Sequence, residues 1–153
     1  MGDSKARNPS LRERALKLLA RREHSRAELA RKLSAHAEDP AEIEKVLDDC
    51  ERRGWLSERR VVEQRVHTLR KRFGARRIEQ DLRQKGISGE AVATALADLK
   101  SSELEAAREV WRRKFGGRLP RSPADRARQV RFLQGRGFEL EVVLKIIKGG
   151  EDD

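Results

Sequence analysis

The sequence predicts an all-α fold of three tandem three-helix repeats, forming an elongated, curved, solenoid-like module. Three observations carry this reading. Apolar residues recur at helical spacing almost everywhere: Val62, Val66, Leu69 and Phe73 fall at i, i+4, i+7 and i+11, one stripe of a helix, and Leu104, Ala107, Trp111 and Phe115 form a second. Alternating strand patterns are absent, and so is tyrosine. The helical pattern also repeats: Ile43, Val46 and Leu47 share a spacing with Val92, Ala95 and Leu96 and again with Val143, Ile146 and Ile147.

Further matches set the register. Phe73-Gly74 corresponds to Phe115-Gly116, and Lys85-Gly86-Ile87 to Arg136-Gly137-Phe138, at offsets of 42 and 51 residues. The difference places an insertion of nine residues in the third repeat, near 117–125, where Pro120 and Pro123 stand. The expected organisation is a flexible tail at 1–10, repeats at 11–57, 58–101 and 102–148, and a second tail at 149–153.

Each repeat reads as three helices, near 11–22, 26–33 and 41–53, then 58–73, 75–85 and 89–100, then 102–115, 124–136 and 139–148. Ser25 and Glu28 have the spacing of a capping box. Asp39-Pro40 suits a helix start. Gly54, Gly86 and Gly137 follow basic residues and suit left-handed helix ends. A three-helix bundle of about 45 residues buries little surface alone, so stacking extends its core.

Composition narrows the function. The chain has 153 residues, 41% charged and 37% hydrophobic, and a net charge of +10. So thin an apolar share argues against a large enzyme with a deep, dry pocket. No stretch reaches the roughly 18 apolar residues of a membrane helix. The opening residues lack the apolar run of a signal peptide. Cys50 is alone, which excludes an internal disulfide and suits a reducing compartment. His24, His36 and His67 share no metal-ligand spacing with Cys50 or each other. No nucleophile signature or phosphate-binding glycine loop appears. No enzyme activity, metal or cofactor is expected.

The positive charge is uneven. Residues 1–57 hold 13 basic and 11 acidic residues, 58–101 hold 11 and 6, and 102–153 hold 12 and 9. Arg far outnumbers Lys, and its planar fork suits phosphate or carboxylate. In the second repeat the basic set is Arg65, Arg70, Lys71, Arg72, Arg76 and Arg77; in the third it is Arg112, Arg113, Lys114, Arg128 and Arg131, with Arg118, Arg121, Arg126 and Arg136 nearby. In a regular curve both sets can fall on one concave face that contacts a polyanion. The aromatic residues lie mostly on apolar stripes and read as packing; Phe132 is the exception, because Asp81 occupies the aligned position.

Several segments resemble the RecX family: Gly54-Trp55-Leu56-Ser57-Glu58, then Phe73-Gly74-Ala75-Arg76-Arg77-Ile78, then Leu82-Arg83-Gln84-Lys85-Gly86-Ile87. Residues 22–33 near the start and Val130-Arg131-Phe132-Leu133-Gln134-Gly135-Arg136-Gly137-Phe138 near the end extend the likeness over roughly 11–148. The resemblance implies a bacterial cytoplasmic regulator of the RecA recombinase. Such proteins lodge in the groove of the RecA–DNA filament, typically inhibit its ATPase and strand exchange, and often bind DNA. It implies RecA and single- or double-stranded DNA as partners; no membrane partner is expected, and with no long heptad seam the expected state is a monomer. One departure is Arg59-Arg60-Val61, where the family usually has an aromatic residue and Ala after its acidic pair. The rival readings are a stand-alone DNA-binding module, since 25–33 could pass for part of a helix-turn-helix, and a protein-only adaptor.

Overall fold

Residues 8–148 are described by a computed structural model, and every regular element among them is an α-helix. In order these are α1 (Leu11–Arg21), α2 (Arg26–Ser34), α3 (Pro40–Arg52), α4 (Glu58–Leu69), α5 (Ala75–Gln84), α6 (Glu90–Ser101), α7 (Glu103–Phe115), α8 (Pro123–Gly135) and α9 (Leu140–Ile147). The tails expected at 1–10 and 149–153 lie outside the described residues, except for 8–10. The chain forms two compact units: unit 1 is residues 8–61 with 85–87, and unit 2 is residues 62–84 with 88–148.

Local sequence explains where the helices begin. Ser25 Oγ accepts from the Glu28 N–H while the Glu28 carboxylate accepts from the Ser25 N–H, closing the expected capping box. Ser10 and Glu13 close a second box at the start of α1. Asp39 caps α3 by accepting from the Ala41 N–H at 3.0 Å, with Pro40 in the first turn. The helix α4 closes at Leu69 rather than Phe73. Its last turn tightens, the Arg72 N–H reaching back only to the Leu69 carbonyl.

Unit 1 packs α1, α2 and α3 around Ala15, Leu29, Leu33, Ile43, Leu47, Cys50 and Leu56. Arg26 pins α2 to α3 through Glu44, Asp48 and Glu51 at 2.7, 2.8 and 2.7 Å. Cys50 is wholly buried, and that burial pushes its thiol up. Unit 2 centres on Ala107, Val110, Trp111, Leu133, Phe138, Val143 and Ile146. The buried Gln129 accepts from the Trp111 indole N–H at 2.8 Å and donates to the Arg118 carbonyl at 3.1 Å. The segment at 117–125 is thereby tied to the core of unit 2.

The two aligned glycine turns form the same joint, once in each unit. In unit 2 the Gly74 N–H donates to the Arg136 carbonyl at 2.7 Å. A Cβ on Gly74 would stand 2.5 Å from the Gly137 carbonyl oxygen, and one on Gly137 would stand 2.5 Å from the Arg77 Cβ. In unit 1 the Ser25 hydroxyl donates to the Lys85 carbonyl at 2.7 Å, and a Cβ on Gly86 would strike Ala27 at 2.5 Å. The residues after these glycines, Ile87 and Phe138, are fully buried. Glycine is required because a Cβ would overlap facing backbone at Gly74 and Gly137 and the Ala27 methyl at Gly86, and Gly86 and Gly137 also hold positive φ.

Buried polar groups sit beside the unit 1 joint. His24 is 1% exposed; its Nδ1 faces the Arg22 carbonyl at 3.0 Å and its Nε2 faces the Lys32 ammonium at 3.1 Å. A neutral ring protonated on Nδ1 satisfies both contacts. Burial, and the Arg22 and Lys32 charges, hold its pKa below the ordinary 6.5. Burial pushes Glu28 upward, but the Ser25 N–H, Lys85 and Arg22 outweigh it and keep the carboxyl below its ordinary 4.5.

Two tests follow from this packing. Gly74→Ala should cost unit 2 about 2 to 3 kcal/mol in urea denaturation. Gly135→Ala, with open space around its Cβ in a helix, should be neutral or stabilising by up to about 1 kcal/mol; equal effects would dismiss the close approach. Both depressed groups resist protonation in the fold. Their stability contribution is full above the ordinary His value of 6.5, and falls below it as the unfolded chain takes up protons first. Amide protection factors in unit 1, referenced to the intrinsic exchange rate at each pH, should therefore fall on acidification below that point, and His24→Gln should flatten the first part of the curve.

Candidate nucleic-acid interface

The basic residues expected to act together divide into two kinds. Arg65 and Arg70 are turned inward. Arg65 makes a bidentate pair with Asp81, at 3.0 and 2.9 Å, which joins α4 to α5. Arg70 donates to Glu103 at 2.7 Å, to the Leu99 carbonyl at 2.6 Å and to Ser102 Oγ at 3.0 Å. Its side chain is only 17% exposed. Glu103 is itself buried and accepts from the Ala75 N–H, so one carboxylate caps α5 and holds Arg70. Glu58 makes the capping contact in unit 1, accepting from the Arg26 N–H at 3.1 Å at the start of α2. The repeated pairs Ser57-Glu58 and Ser102-Glu103 were the sequence signal for this latch.

The second kind faces outward. Lys71, Arg72, Arg113 and Lys114 line one groove of about 250 Å³, together with Val110, Phe132 and Arg136. The pattern explains their meeting. Lys71 and Arg72 follow the inward Arg70 in the turn after α4, whereas Arg113 and Lys114 sit off the buried face of α7 that carries Val110 and Trp111. Arg113 donates to the Lys71 carbonyl, stitching the two walls.

The groove has an aromatic wall. The Lys114 ammonium lies 5.1 Å from the Phe132 ring centre, and the Arg136 guanidinium lies 4.8 Å from Phe132 and 5.5 Å from Phe73. Arg72 and Arg77 also lie over Phe73, at 5.4 and 4.7 Å. Phe132 meets Phe115 edge to face at 5.5 Å. Cation–π contacts hold long, charged side chains at the surface without neutralising them. Arg136 and Phe132 are thus central to the groove. The mismatch of Phe132 with Asp81 was the sign that Phe132 serves something local to this repeat.

A neighbouring hollow of about 770 Å³ continues from Lys114 to Arg118, Arg121 and Arg128. Arg128 bonds Asp125 at 2.7 Å, and against partial desolvation that bond keeps the Asp125 carboxyl below its ordinary range. Arg76 pairs loosely with Glu139 at 3.5 Å, and Arg77 donates to the Gly135 carbonyl at 3.4 Å. Arg112 and Arg131 are exposed but do not line the groove of Lys71 and Lys114. Among the described residues, no cluster of His, Cys, Asp and Glu could hold a metal ion, and no helix is long and apolar enough to cross a membrane. The arrangement offers fixed positive charge beside an aromatic edge, which suits contact with a phosphate backbone.

The two kinds of arginine should separate in mutagenesis. Arg70→Ala strands the buried Glu103 carboxylate and should cost about 3 kcal/mol of stability. Lys71→Ala, on an exposed side chain, should stay within about 0.5 kcal/mol. Thermal unfolding of both variants checks this; similar midpoints would remove the distinction.

Comparison with known proteins agrees with this architecture. Three RecX family models match in series: the first three-helix domain at residues 12–50, the second at 57–96 and the third at 101–147. A regulatory protein RecX of Leptothrix cholodnii is 55% identical over 91% of this chain and 88% of its own length. One from Ralstonia nicotianae is 46% identical, over 93% and 89%. The crystal structure of RecX from Lactobacillus salivarius superposes with a TM-score of 0.79, at 17% identity, covering 94% of this chain and 96% of that one. A second crystal structure of a regulatory protein RecX gives 0.74 at 21% identity, over 90% and 71%. With consecutive family models covering most of its length and close relatives over nearly all of it, the chain belongs to the RecX family of regulatory proteins.

Proposed function

We propose that this protein is an inhibitor of the RecA recombinase that binds the RecA–DNA filament and contacts nucleic-acid phosphates through the basic groove of unit 2. One observation supports this most: Lys71, Arg72, Arg113 and Lys114, from two separate helical segments, line a single groove with an aromatic wall. Family membership supports RecA as the partner. In this reading the protein works in the bacterial cytoplasm, as a monomer without a cofactor, and through the repeats at 11–57, 58–101 and 102–148.

The mechanism is occupancy. A protein held along the filament by charge contacts stands where a partner strand or a moving RecA subunit must pass, and so slows strand exchange and ATP turnover. Phosphate contacts of this kind confer affinity with little choice of sequence. Arg65 and Arg70 serve by holding the scaffold, and Lys71, Arg72, Arg113 and Lys114 by meeting the phosphates. Arg76, Arg77, Arg112, Arg128 and Arg131 add charge around them.

The decisive measurement is RecA ATPase on single-stranded DNA, with the wild type and with Lys71→Glu/Arg72→Glu/Lys114→Glu. These side chains are exposed, so the variant should fold. The wild type should slow the ATPase at stoichiometric amounts. The variant should lose at least about tenfold in DNA affinity, and its log–log salt slope should flatten by about 2 to 3. Unchanged ATPase with the wild type would overturn the RecA reading, and an unchanged salt slope in the variant would move the phosphate site elsewhere.

A further inference from the structure

We propose that the basic groove of unit 2 selects single-stranded DNA: Phe132 is a platform on which one unpaired base stacks, while the neighbouring phosphates meet Lys71, Arg72, Arg113 and Lys114. This role for Phe132 rests on the phosphate reading of that groove, and adds the strand form and the residue that chooses it.

The ring is placed for such a role. Phe132 stands at the edge of the unit 2 core, half-buried, and lines the groove beside Val110. Phe138, six residues on, is wholly buried and serves the core instead. Phe115 meets Phe132 at 5.5 Å with 84° between the ring planes, which fixes the tilt of the platform. Lys114 and Arg136 lie 5.1 and 4.8 Å from its centre. Among the described residues neither cation has a carboxylate partner. The ring therefore holds two cations that a phosphate can draw away. An exposed cation–π contact is worth roughly two- to fivefold in affinity, whereas a stacked base adds on the order of tenfold. Lys114 moves from the ring to a phosphate, and a base takes its place.

Size and chemistry together select the ligand. At about 250 Å³ the groove is smaller than the roughly 300–1,000 Å³ of ordinary ligand pockets. It seats one planar group, not a helix of about 10–12 Å diameter. Duplex DNA keeps its base faces stacked inside, so it offers this groove phosphates only. An acidic peptide uses the cations and leaves the ring without a partner. A single strand uses both. In the second repeat Asp81 holds the aligned position and is bound to Arg65, so the platform belongs to the third repeat alone.

Gly135 keeps the ring accessible. It ends α8, one turn after Phe132, and a Cβ there would meet nothing within 4 Å. Neither close packing nor a positive φ asks for glycine at this position. Glycine in a helix is less stable than alanine, so its presence calls for another reason. A helical side chain covers the turn N-terminal to its own Cα, and a long residue at 135 would lie over position 132. A clear approach to Phe132 supplies that reason.

The test reads fluorescence anisotropy of the full chain with three fluorescein-labelled probes at one salt concentration. They are an oligothymidylate of about 12 nucleotides, the same phosphate chain carrying abasic sites, and a duplex of equal length. The wild type should bind the oligothymidylate at least about tenfold tighter than the abasic chain. Phe132→Leu should remove that preference and hold the abasic and duplex affinities within about twofold. Gly135→Leu should weaken the oligothymidylate alone. Phe132→Trp should keep the preference, with its added indole emission quenched by the oligothymidylate and not by the abasic chain. Far-UV circular dichroism melting verifies that each variant is folded at the binding temperature. Where Phe132→Leu melts too low, the Phe132→Trp emission decides, and equal quenching by both chains overturns the stacking. Equal wild-type affinity for the two chains, or a preference that survives Phe132→Leu, also overturns it. If Lys71→Glu/Arg72→Glu then weakens all three probes, the phosphate reading stands without the platform. If that variant weakens none of them, the phosphates bind elsewhere and both fall.

Discussion

The Glu103 carboxylate is the contact on which the basic groove of unit 2 depends. It is buried at the first residue of α7, accepts from the first N–H of α5 and holds the guanidinium at the end of α4. A carboxylate in such a place needs charge-assisted partners, and Arg70 with the Ala75 N–H supplies them. Arg70 is drawn inward just after α4 ends at Leu69, where the chain turns. Lys71 and Arg72 then emerge beside Arg113 and Lys114 instead of continuing around a helix. One buried ion pair thus sets where four exposed charges meet.

The capping contact recurs in unit 1, where Glu58 accepts from the Arg26 N–H of α2. The glycine joints recur as well, Gly86 against Ala27 and Gly74 against Gly137. The repeats therefore share more than a hydrophobic pattern. They share a hydrogen-bonded seam, in which the acid opening one repeat's first helix caps the second helix of the repeat before it. Such a seam tolerates wide variation at the surface, because it uses backbone groups, one carboxylate and the absence of a side chain. That freedom is what lets one repeat present Phe132 and another Asp81 at the aligned position.

Charge in this protein does two jobs that composition alone merges. Arg65 and Arg70 hold elements together through Asp81 and Glu103; Lys71, Arg72 and Lys114 face water. Unit 1 shows the separation on a larger scale. Glu44, Asp48 and Glu51 lie with Arg26, and Asp49 with Arg12, Arg52 and Arg53, while Arg14, Lys17, Arg21 and Lys32 take no carboxylate partner among the described residues. Where charges sit matters more than their total, since exposed pairs contribute little stability and unpaired clusters attract ligands.

Helix type, repeat register, the capping box at Ser25 and the left-handed glycines were legible from residue order, because each depends on neighbours within a few positions or on a spacing that recurs. The basic segments were legible as segments. Which arginine turns inward was not, since Arg70 and Lys71 are adjacent and equally charged, and the choice rests on Glu103, 33 residues away. Nor was the unpaired set of unit 1 readable, because it arises when α3 acids find other partners. Sequence alone determined the elements and their repetition. Only the tertiary structure decided which charges are consumed inside the protein and which remain for a ligand, because ion pairing is a matter of distance in space.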